Sequence, residues 1–243
     1  MEAMLVRERY KIVRVLEARE NYAFAEAVDI LDREKHTCFL NIYEGPLLRA
    51  YLPCFDQMQG CPAFQGMFLD GESLVTVFVD CKGVPIDQVF YRGDRHGWQT
   101  RLDYAGQLLH QALSMADLPP EVSCAAMLSE NVCVDLQNGS LSLRFQVLPM
   151  EGMNPRELVY LTCDQLRKIL LPRFASPPEE LALLDELDRG ICRSVVQLYA
   201  LWRERKDGIR AAYEALEKKN FIRRWCALLW GRAKRQAARR KRR

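Results

Sequence analysis

With 243 residues, 49% of them apolar and 28% charged, the chain is long enough for one large domain or two lobes, and its ordinary composition excludes disordered and collagen-like classes. The sequence contains no run of about 18 apolar residues and no secretory signal, so we expect no membrane span and a cytoplasmic location. Its nine cysteines form no C-x-x-C pair, from which we expect free thiols in a reducing compartment and no bound metal.

The charge of the chain is unevenly distributed. The formal net charge is +3, but residues 218–243, which we call the basic tail, contain 12 Lys or Arg and no Asp or Glu. The preceding 217 residues carry 23 basic and 32 acidic side chains, a balance of −9. An acidic body with a basic tail predicts that the tail contacts anionic partners.

Residues 1–80 are rich in β-branched and aromatic residues that alternate with polar ones. Together with the polar turns between them, these runs predict five strands, at residues 10–16, 22–30, 37–43, 64–69 and 74–79. Residues 46–62 predict one short helix, broken near Pro53. A small antiparallel sheet with one helix is therefore expected at the start of the chain.

After a polar, glycine-containing break at residues 80–83, apolar residues recur at helical spacing. The predicted helices are residues 84–91, 98–116, 156–171, 176–189, 191–206 and 209–217, the last two being separated or kinked at Asp207-Gly208. Between the second and third of these, two short apolar runs flank Asn138-Gly139, a dipeptide typical of a tight hairpin turn. The chain is thus expected to be α+β, with a small sheet followed by a mostly helical part.

The segment from Cys124 to Gln146 resembles the catalytic segment of protein kinases. Its sequence is CAAMLSENVCVDLQNGSLSLRFQ, which predicts a loop followed by a hairpin. In that family, H-R-D-x-x-x-x-N supplies a catalytic Asp and a magnesium-binding Asn, and the following hairpin leads to D-F-G, whose Asp also binds magnesium. With Asn131 at the family's Asn, residues 124–126 replace H-R-D and residues 144–146 replace D-F-G, at the family's spacing.

The catalytic groups of the family are missing from this segment. Ala126 stands at the catalytic Asp and cannot accept a proton. Arg144 places a positive charge where a magnesium-binding carboxylate belongs, which leaves Asn131 as the one surviving ligand type.

The phosphate-binding positions of the family are also changed. Glu17, Arg19 and Tyr22 fall at the three glycines of the Gly-rich loop, and Asn41 falls at the Lys of V-A-I-K. No Glu occurs in residues 46–70 to pair with such a Lys. Side chains at the glycine positions would crowd the phosphates, and Glu17 would repel them.

The resemblance implies a two-lobed, protein kinase-like α+β fold. Its predicted parts are an N-lobe of five strands and one helix at residues 1–80, an abbreviated helical C-lobe at 84–217, and a basic amphipathic helical tail at 218–243. Only about ten residues separate Phe145 from the helix at 156, too few for a substrate-binding activation segment. The chain is also loosely similar to the cytosolic pseudokinase domain of the EssB/YukC family, which continues into a membrane span, and no such span is predicted in this sequence.

The resemblance further implies a catalytically inactive scaffold or partner-binding module, with an unknown protein partner, no cofactor and no enzyme activity. An enzyme with a Cys nucleophile such as Cys124 would need a His at motif spacing, which the sequence lacks.

The basic tail combines aromatic and cationic residues at helical spacing, which predicts an amphipathic helix that lies peripherally on an anionic inner membrane face. Its predicted contact residues are Arg223, Arg224, Trp225, Trp230, Arg232, Lys234 and Arg235. Two alternatives stay open at this point. The first half of the tail could instead dock on the body, or the tail could neutralise nucleic-acid phosphates without sequence preference.

Overall fold

The computed structural model describes residues 5–173 and 175–240, with the backbone alone for residues 221 and 234–240. The chain forms two compact units, Met1–Pro85 with Met115–Leu158, and Ile86–Ser114 with Val159–Arg243. The limits predicted for the N-lobe, the C-lobe and the basic tail, at residues 80, 84 and 217, remain predictions.

The first unit contains all the described strands: Leu5–Val6 (β1), Tyr10–Arg19 (β2), Tyr22–Asp29 (β3), Thr37–Glu44 (β4), Phe64–Asp70 (β5), Ser73–Val79 (β6), Val84–Pro85 (β7), Val132–Asp135 (β8) and Ser140–Leu143 (β9). The helices are Gly45–Asp56 (α1), Ile86–Val89 (α2), Trp98–Met115 (α3), Pro120–Ala126 (α4), Pro155–Leu170 (α5), Pro178–Asp188 (α6), Val195–Glu217 (α7) and Phe221–Arg240 (α8).

Strands β1 to β6 form one antiparallel sheet in the order β1-β2-β3-β4-β6-β5. All five predicted strands are present, but the prediction of a five-stranded sheet was wrong because β1 adds a sixth. Two residues are too few to show an alternating pattern. The β2–β3 turn is tight because Arg19 pairs directly with Tyr22, and Asn21 between them takes a φ of 60°, a conformation that Asn tolerates.

The two faces of this sheet differ in chemistry. One face packs aliphatic side chains such as Leu40, Val75 and Val77 into a core. The other face is largely aromatic, and on it Asn41 of β4 lies in register between Phe24 and Thr76. Because residues paired across strands share a face, Asn41 and Thr76 are polar side chains in an aromatic layer, and both are completely buried.

Helix α1 packs on the aromatic face. Tyr51 stacks on Tyr43 with ring centroids 4.8 Å apart, and Phe55 lies 5.5 Å from the same ring. The helix was predicted to break near Pro53, yet it continues to Asp56. Burial of Tyr51 and Phe55 on both sides of the proline holds this last turn in helical form.

The segment from Cys124 to Gln146 is more helical than predicted. Cys124, Ala125 and Ala126 form the last turn of α4, and all three are buried, so the prediction of a loop here was wrong. Pro120 lies in the first turn of this helix, a position that proline favours, whereas the resemblance to the kinase segment predicted a loop.

The hairpin that follows pairs β8 with β9, and β7 joins it as a third strand. Its turn spans residues 136–139 rather than two residues, because Asp135 pairs with Ser140 and its carboxylate accepts from the backbone N–H groups of Gln137 and Asn138. Gly139 has a φ of 65°, so the predicted need for glycine is met in a longer turn.

The second unit is built on helices around a buried ion pair. Arg101 of α3 pairs with Asp94 and donates to the backbone carbonyl of Ile169, while Arg173 reaches the same carboxylate at 2.6 Å. The predicted interruption at Asp207-Gly208 was wrong, because both residues lie inside the continuous helix α7. One glycine lowers helix propensity by only about 1 kcal/mol, which packing of the flanking turns offsets.

Helix α8 packs through one face against other helices of the second unit. Leu228 is buried, Arg232 donates to the backbone carbonyl of Arg173 at 2.7 Å, and Gly231 lies so close to α6 that a Cβ there would be 2.5 Å from Cγ of Pro178. In the part of the chain that the structure describes, no helix is long and apolar enough to cross a membrane.

Candidate functional site

The kinase-motif positions meet in the first unit, and Asn41 connects them. Its side-chain amide donates to the backbone carbonyl of Phe145 at 2.9 Å, and its carbonyl oxygen accepts from the backbone N–H of Val147 at 2.8 Å and from the hydroxyl of Tyr22 at 3.0 Å. These three hydrogen bonds join β3 and β4 to the segment at the D-F-G position. Where a kinase keeps a lysine for phosphates, this chain has a structural amide that uses three of its four hydrogen-bonding positions.

Aromatic residues also pack at this contact between the sheet and residues 145–147. The ring of Phe145 stacks on Phe78 with centroids 4.9 Å apart and planes 4° from parallel. The hydroxyl of Tyr43 donates to the backbone carbonyl of Val147 at 2.7 Å. Burial raises the pKa of both Tyr43 and Tyr22, so these hydroxyls keep their protons and remain donors.

The Gly-rich-loop positions close onto this segment as well. The side-chain amide of Gln146 donates to the carboxylate of Glu17 at 2.5 Å, and Arg19 donates to the other oxygen of that carboxylate. Gln146 is 8% exposed and stands at the glycine of D-F-G. A carboxylate therefore lies where the family's loop presents backbone N–H groups to phosphates.

Asn131 is engaged by the backbone around it. Its amide nitrogen donates to the carbonyls of Ala125 at 2.7 Å and Gln146 at 3.0 Å, and the residue has no exposed surface. Its side-chain oxygen has no hydrogen-bond partner among the described residues. Ala126, at the catalytic-base position, is also completely buried, so a substrate hydroxyl could not reach it.

Arg144 faces an aromatic ring rather than a ligand site. Its guanidinium carbon lies 5.5 Å from the ring centroid of Phe39, and its backbone N–H donates to the carbonyl of Asn131 at 2.7 Å. The metal-binding carboxylate position of the family thus carries a fixed cation.

These residues do not fit magnesium and a nucleoside triphosphate. Magnesium needs oxygen ligands, usually including a carboxylate, and the one free side-chain oxygen of Asn131 stands near no such group at the D-F-G position. Within the described residues, no group of three His, Cys, Asp or Glu is placed to hold a metal. The phosphate positions are occupied by the hydrogen bonds of Asn41 and Glu17.

The predicted tail contacts are only partly brought together. On α8, Arg223 is exposed and Arg224 half-buried, while Trp225 and Trp230 are 47% and 71% exposed. Arg232 lies on the docked face, where it donates to the Arg173 carbonyl. The side chains of Lys234 and Arg235, also predicted contacts, lie outside the described residues.

Sequence reasoning missed the residues that close the site. Tyr43, Gln146 and the backbone of Val147 were not singled out, and no local pattern indicates them. One signal was present: Asn41 is the single strongly polar residue in the run CFLNIY, and a polar residue in a buried strand needs partners.

Comparison with known proteins supports the fold. No protein-family model and no curated protein sequence matches the chain. Among solved structures, an apo pseudokinase is similar at 11% identity with a TM-score of 0.55, covering 79% of this chain and 90% of its own.

Two double mutants of the Mycobacterium tuberculosis PknI kinase domain are similar with a TM-score of 0.57. One is 12% identical and covers 85% of this chain and 99% of its own, and the other is 13% identical and covers 88% and 98%. The predicted two-lobed, kinase-like α+β fold is therefore confirmed, and the looser similarity to EssB/YukC stays a prediction.

Proposed function

We propose that this chain is a catalytically inactive kinase-like module that binds a protein partner. The observation that carries the proposal is the bridge from Asn41 to the backbone of Phe145 and Val147, which fills the phosphate-binding position with a structural contact. The alanine at the base position and the arginine at the metal position point the same way. A pseudokinase is among the similar solved structures, and a fold can be kept as a binding surface after its chemistry is lost.

Phosphoryl transfer is tested with the full chain, labelled ATP, magnesium or manganese, and generic protein substrates. No label should appear on the chain or on the substrates. Transfer that disappears in Asn131→Ala, with the variant still folded by circular dichroism, would overturn the proposal of inactivity.

We further propose that α8 attaches the module to an anionic membrane surface. Ile222, Trp225, Leu229 and Trp230 recur at helical spacing on one face, and all four are 42% to 72% exposed. Ile222 and Leu229 lie on the side of the helix away from Gly231, whereas Trp225, seven residues before Arg232, borders the docked face.

The charge of the basic tail also favours attachment to an anionic membrane surface. The basic tail has 12 cations and no acidic residue, and cations near an anionic lipid surface gain roughly 1 kcal/mol each. Exposed tryptophans add apolar burial at the interface, which a tail that only neutralises nucleic-acid phosphates would not need. The body, with a balance of −9, would be repelled by the surface and remain available to a protein partner.

Co-sedimentation with phosphatidylserine vesicles tests this attachment. Binding should be strong at low salt, weaker at high salt, and lower still in the double variant Trp225→Ala/Trp230→Ala. The matched control is Tyr160→Ala/Val196→Ala, which removes two side chains that are 62% and 63% exposed on α5 and α7 and should bind like the parent.

Two results would overturn the membrane proposal. In one, the tryptophan double variant binds vesicles as well as the parent does. In the other, the parent prefers RNA over vesicles at matched salt, and nucleic-acid binding by the basic tail takes the place of membrane attachment.

A further inference from the structure

The linker between β6 and the hairpin lies unusually close to β8. Gly83 has a φ of 119°, and a Cβ at this position would lie 2.6 Å from the backbone oxygen of Val134. Only glycine permits this approach, after which Val84 and Pro85 pair with Val134 and Cys133. The residues just before Gly83 are therefore held against the same strands.

This approach places two cysteines in contact. The sulfur of Cys81 lies 3.1 Å from the hydroxyl oxygen of Ser142, and Ser142 is the residue paired with Cys133 across β8 and β9. Because residues paired across antiparallel strands share a face, the side chain of Cys133 lies next to that of Ser142 and therefore beside the Cys81 thiol. Two thiols held in contact by a sheet and a tight linker form a preorganised pair.

The surroundings favour a thiolate on Cys81. The hydrogen bond from Cys133, then that from Ser142, and then the positive charge of Arg144 lower the pKa of Cys81 to about 7, although burial opposes ionisation. The same hydrogen bond and burial raise the pKa of Cys133, so the pair holds its remaining proton there. Cys81 keeps 8% of its surface exposed and Cys133 none, so a small oxidant reaches Cys81 first.

We propose that Cys81 and Cys133 form a peroxide-sensitive dithiol that closes reversibly to an internal disulfide. The Cys81 thiolate attacks one oxygen of hydrogen peroxide, an S–O bond forms, the O–O bond breaks, and the hydroxide released takes up a proton to become water. Cys133 then loses its proton and attacks the sulfur of Cys81, displacing hydroxide, which leaves as a second water. Two thiols are oxidised by one peroxide, and a dithiol reductant reverses the step.

The other buried cysteines lack this environment. Burial is the first cause that raises the pKa of Cys124 and Cys163 to about 11 and that of Cys38 to about 12. Their thiols remain protonated near neutral pH and are poor nucleophiles.

Peptide mapping of the intact parent chain tests the proposal directly. The reduced chain is treated with equimolar hydrogen peroxide near pH 7.5, remaining thiols are alkylated, and the digest is examined by mass spectrometry. We expect a peptide pair crosslinked through Cys81 and Cys133, two hydrogens lighter than the reduced pair, which disappears after dithiothreitol. Peptides containing Cys124 and Cys163 should stay in the alkylated form.

Variants identify the order of the steps. Cys133→Ser should trap the sulfenic acid of Cys81, which dimedone labels, whereas Cys81→Ser should leave Cys133 unlabelled. Cys163→Ser, another buried cysteine, is the matched control and should form the crosslink like the parent. The proposal fails if peroxide modifies other cysteines while the Cys81 and Cys133 peptides of the parent remain reduced, a result that does not depend on any variant folding.

Discussion

Replacement of Asn41 by alanine should destabilise the protein far more than the loss of one surface amide would. The substitution removes the partner of three buried groups at once: the Tyr22 hydroxyl, the Phe145 carbonyl and the Val147 N–H. A buried group left without a partner costs about 1–3 kcal/mol, so we expect a loss of about 4 kcal/mol when local rearrangement recovers part of the sum. For a chain of this length that corresponds to roughly 8–16 °C in melting temperature.

A neighbouring threonine gives the matched control. Thr76 lies directly opposite Asn41 on β6, is equally buried, and its hydroxyl has no partner among the described residues. Thr76→Val therefore removes a polar group that makes no hydrogen bond, and the variant should be as stable as the parent or about 1 kcal/mol more stable.

Urea unfolding followed by circular dichroism measures both variants, with calorimetric melting as the second measurement. The bridging role of Asn41 is refuted if Asn41→Ala loses less than about 1 kcal/mol, the net value of one ordinary hydrogen bond. It is also refuted if Asn41→Ala and Thr76→Val change stability by the same amount, because burial alone would then explain the result.

Three further predictions concern the turn, the docked helix and a buried acid. Gly139→Val should cost about 1–3 kcal/mol in chemical unfolding because its φ is 65°, Gly139→Asn should cost much less, and an unstrained valine would mean that the turn is misassigned. Gly231→Ala should weaken docking of α8 through the approach to Pro178 and increase proteolysis of the tail. Gly208→Ala, at a helical glycine with open space around it, should stabilise by about 0.5–1 kcal/mol, and equal effects of the two alanines would contradict the docking geometry. Burial raises the pKa of Glu180 against the hydrogen bonds that it accepts from Ser176 and Tyr213, so this acid favours folding at low pH and loses that contribution as pH rises through the folded-state pKa. Stability curves of Glu180→Gln and the parent should diverge in favour of the variant as the pH rises above the ordinary carboxyl pKa of about 4, and parallel curves would show that the pKa is unshifted.

Local patterns were sufficient for most of the fold. Runs of β-branched and aromatic residues bounded by polar turns predict the strands from Tyr10 to Val79, including β4 and β6, which are buried on both faces. The helices from Pro155 to Asp188 follow from apolar spacing and from prolines at their starts, whereas α7, which begins at Val195 after Ser194, follows from apolar spacing alone. The short β1 and the helical turn at Cys124 were missed because neither is long enough to show a period.

The site was harder to predict because its contacts join distant parts of the chain. Asn41 is separated from Phe145 by 104 residues and from Val147 by 106, and Glu17 from Gln146 by 129. The spacing of Ala126, Asn131 and Arg144 placed these residues at kinase positions, but it could not show that the positions are bonded to one another. The Cys81–Cys133 contact depends on the close approach of Gly83 to β8, which no sequence period indicates.

Whether the kinase-type positions hold a nucleotide is tested most directly by titrating the intact chain with ATP and magnesium in a calorimeter, together with thermal unfolding in the same buffer. With Asn41 and Glu17 engaged by the D-F-G-type segment and Arg144 at the metal position, we expect no saturable heat and no change in melting temperature. A bound nucleotide at 100 times its Kd would instead stabilise the chain by about 2.7 kcal/mol, or roughly 5–11 °C. Magnesium-dependent binding that raises the melting temperature by that amount and is abolished by Asn131→Ala would contradict the proposed loss of function at this site.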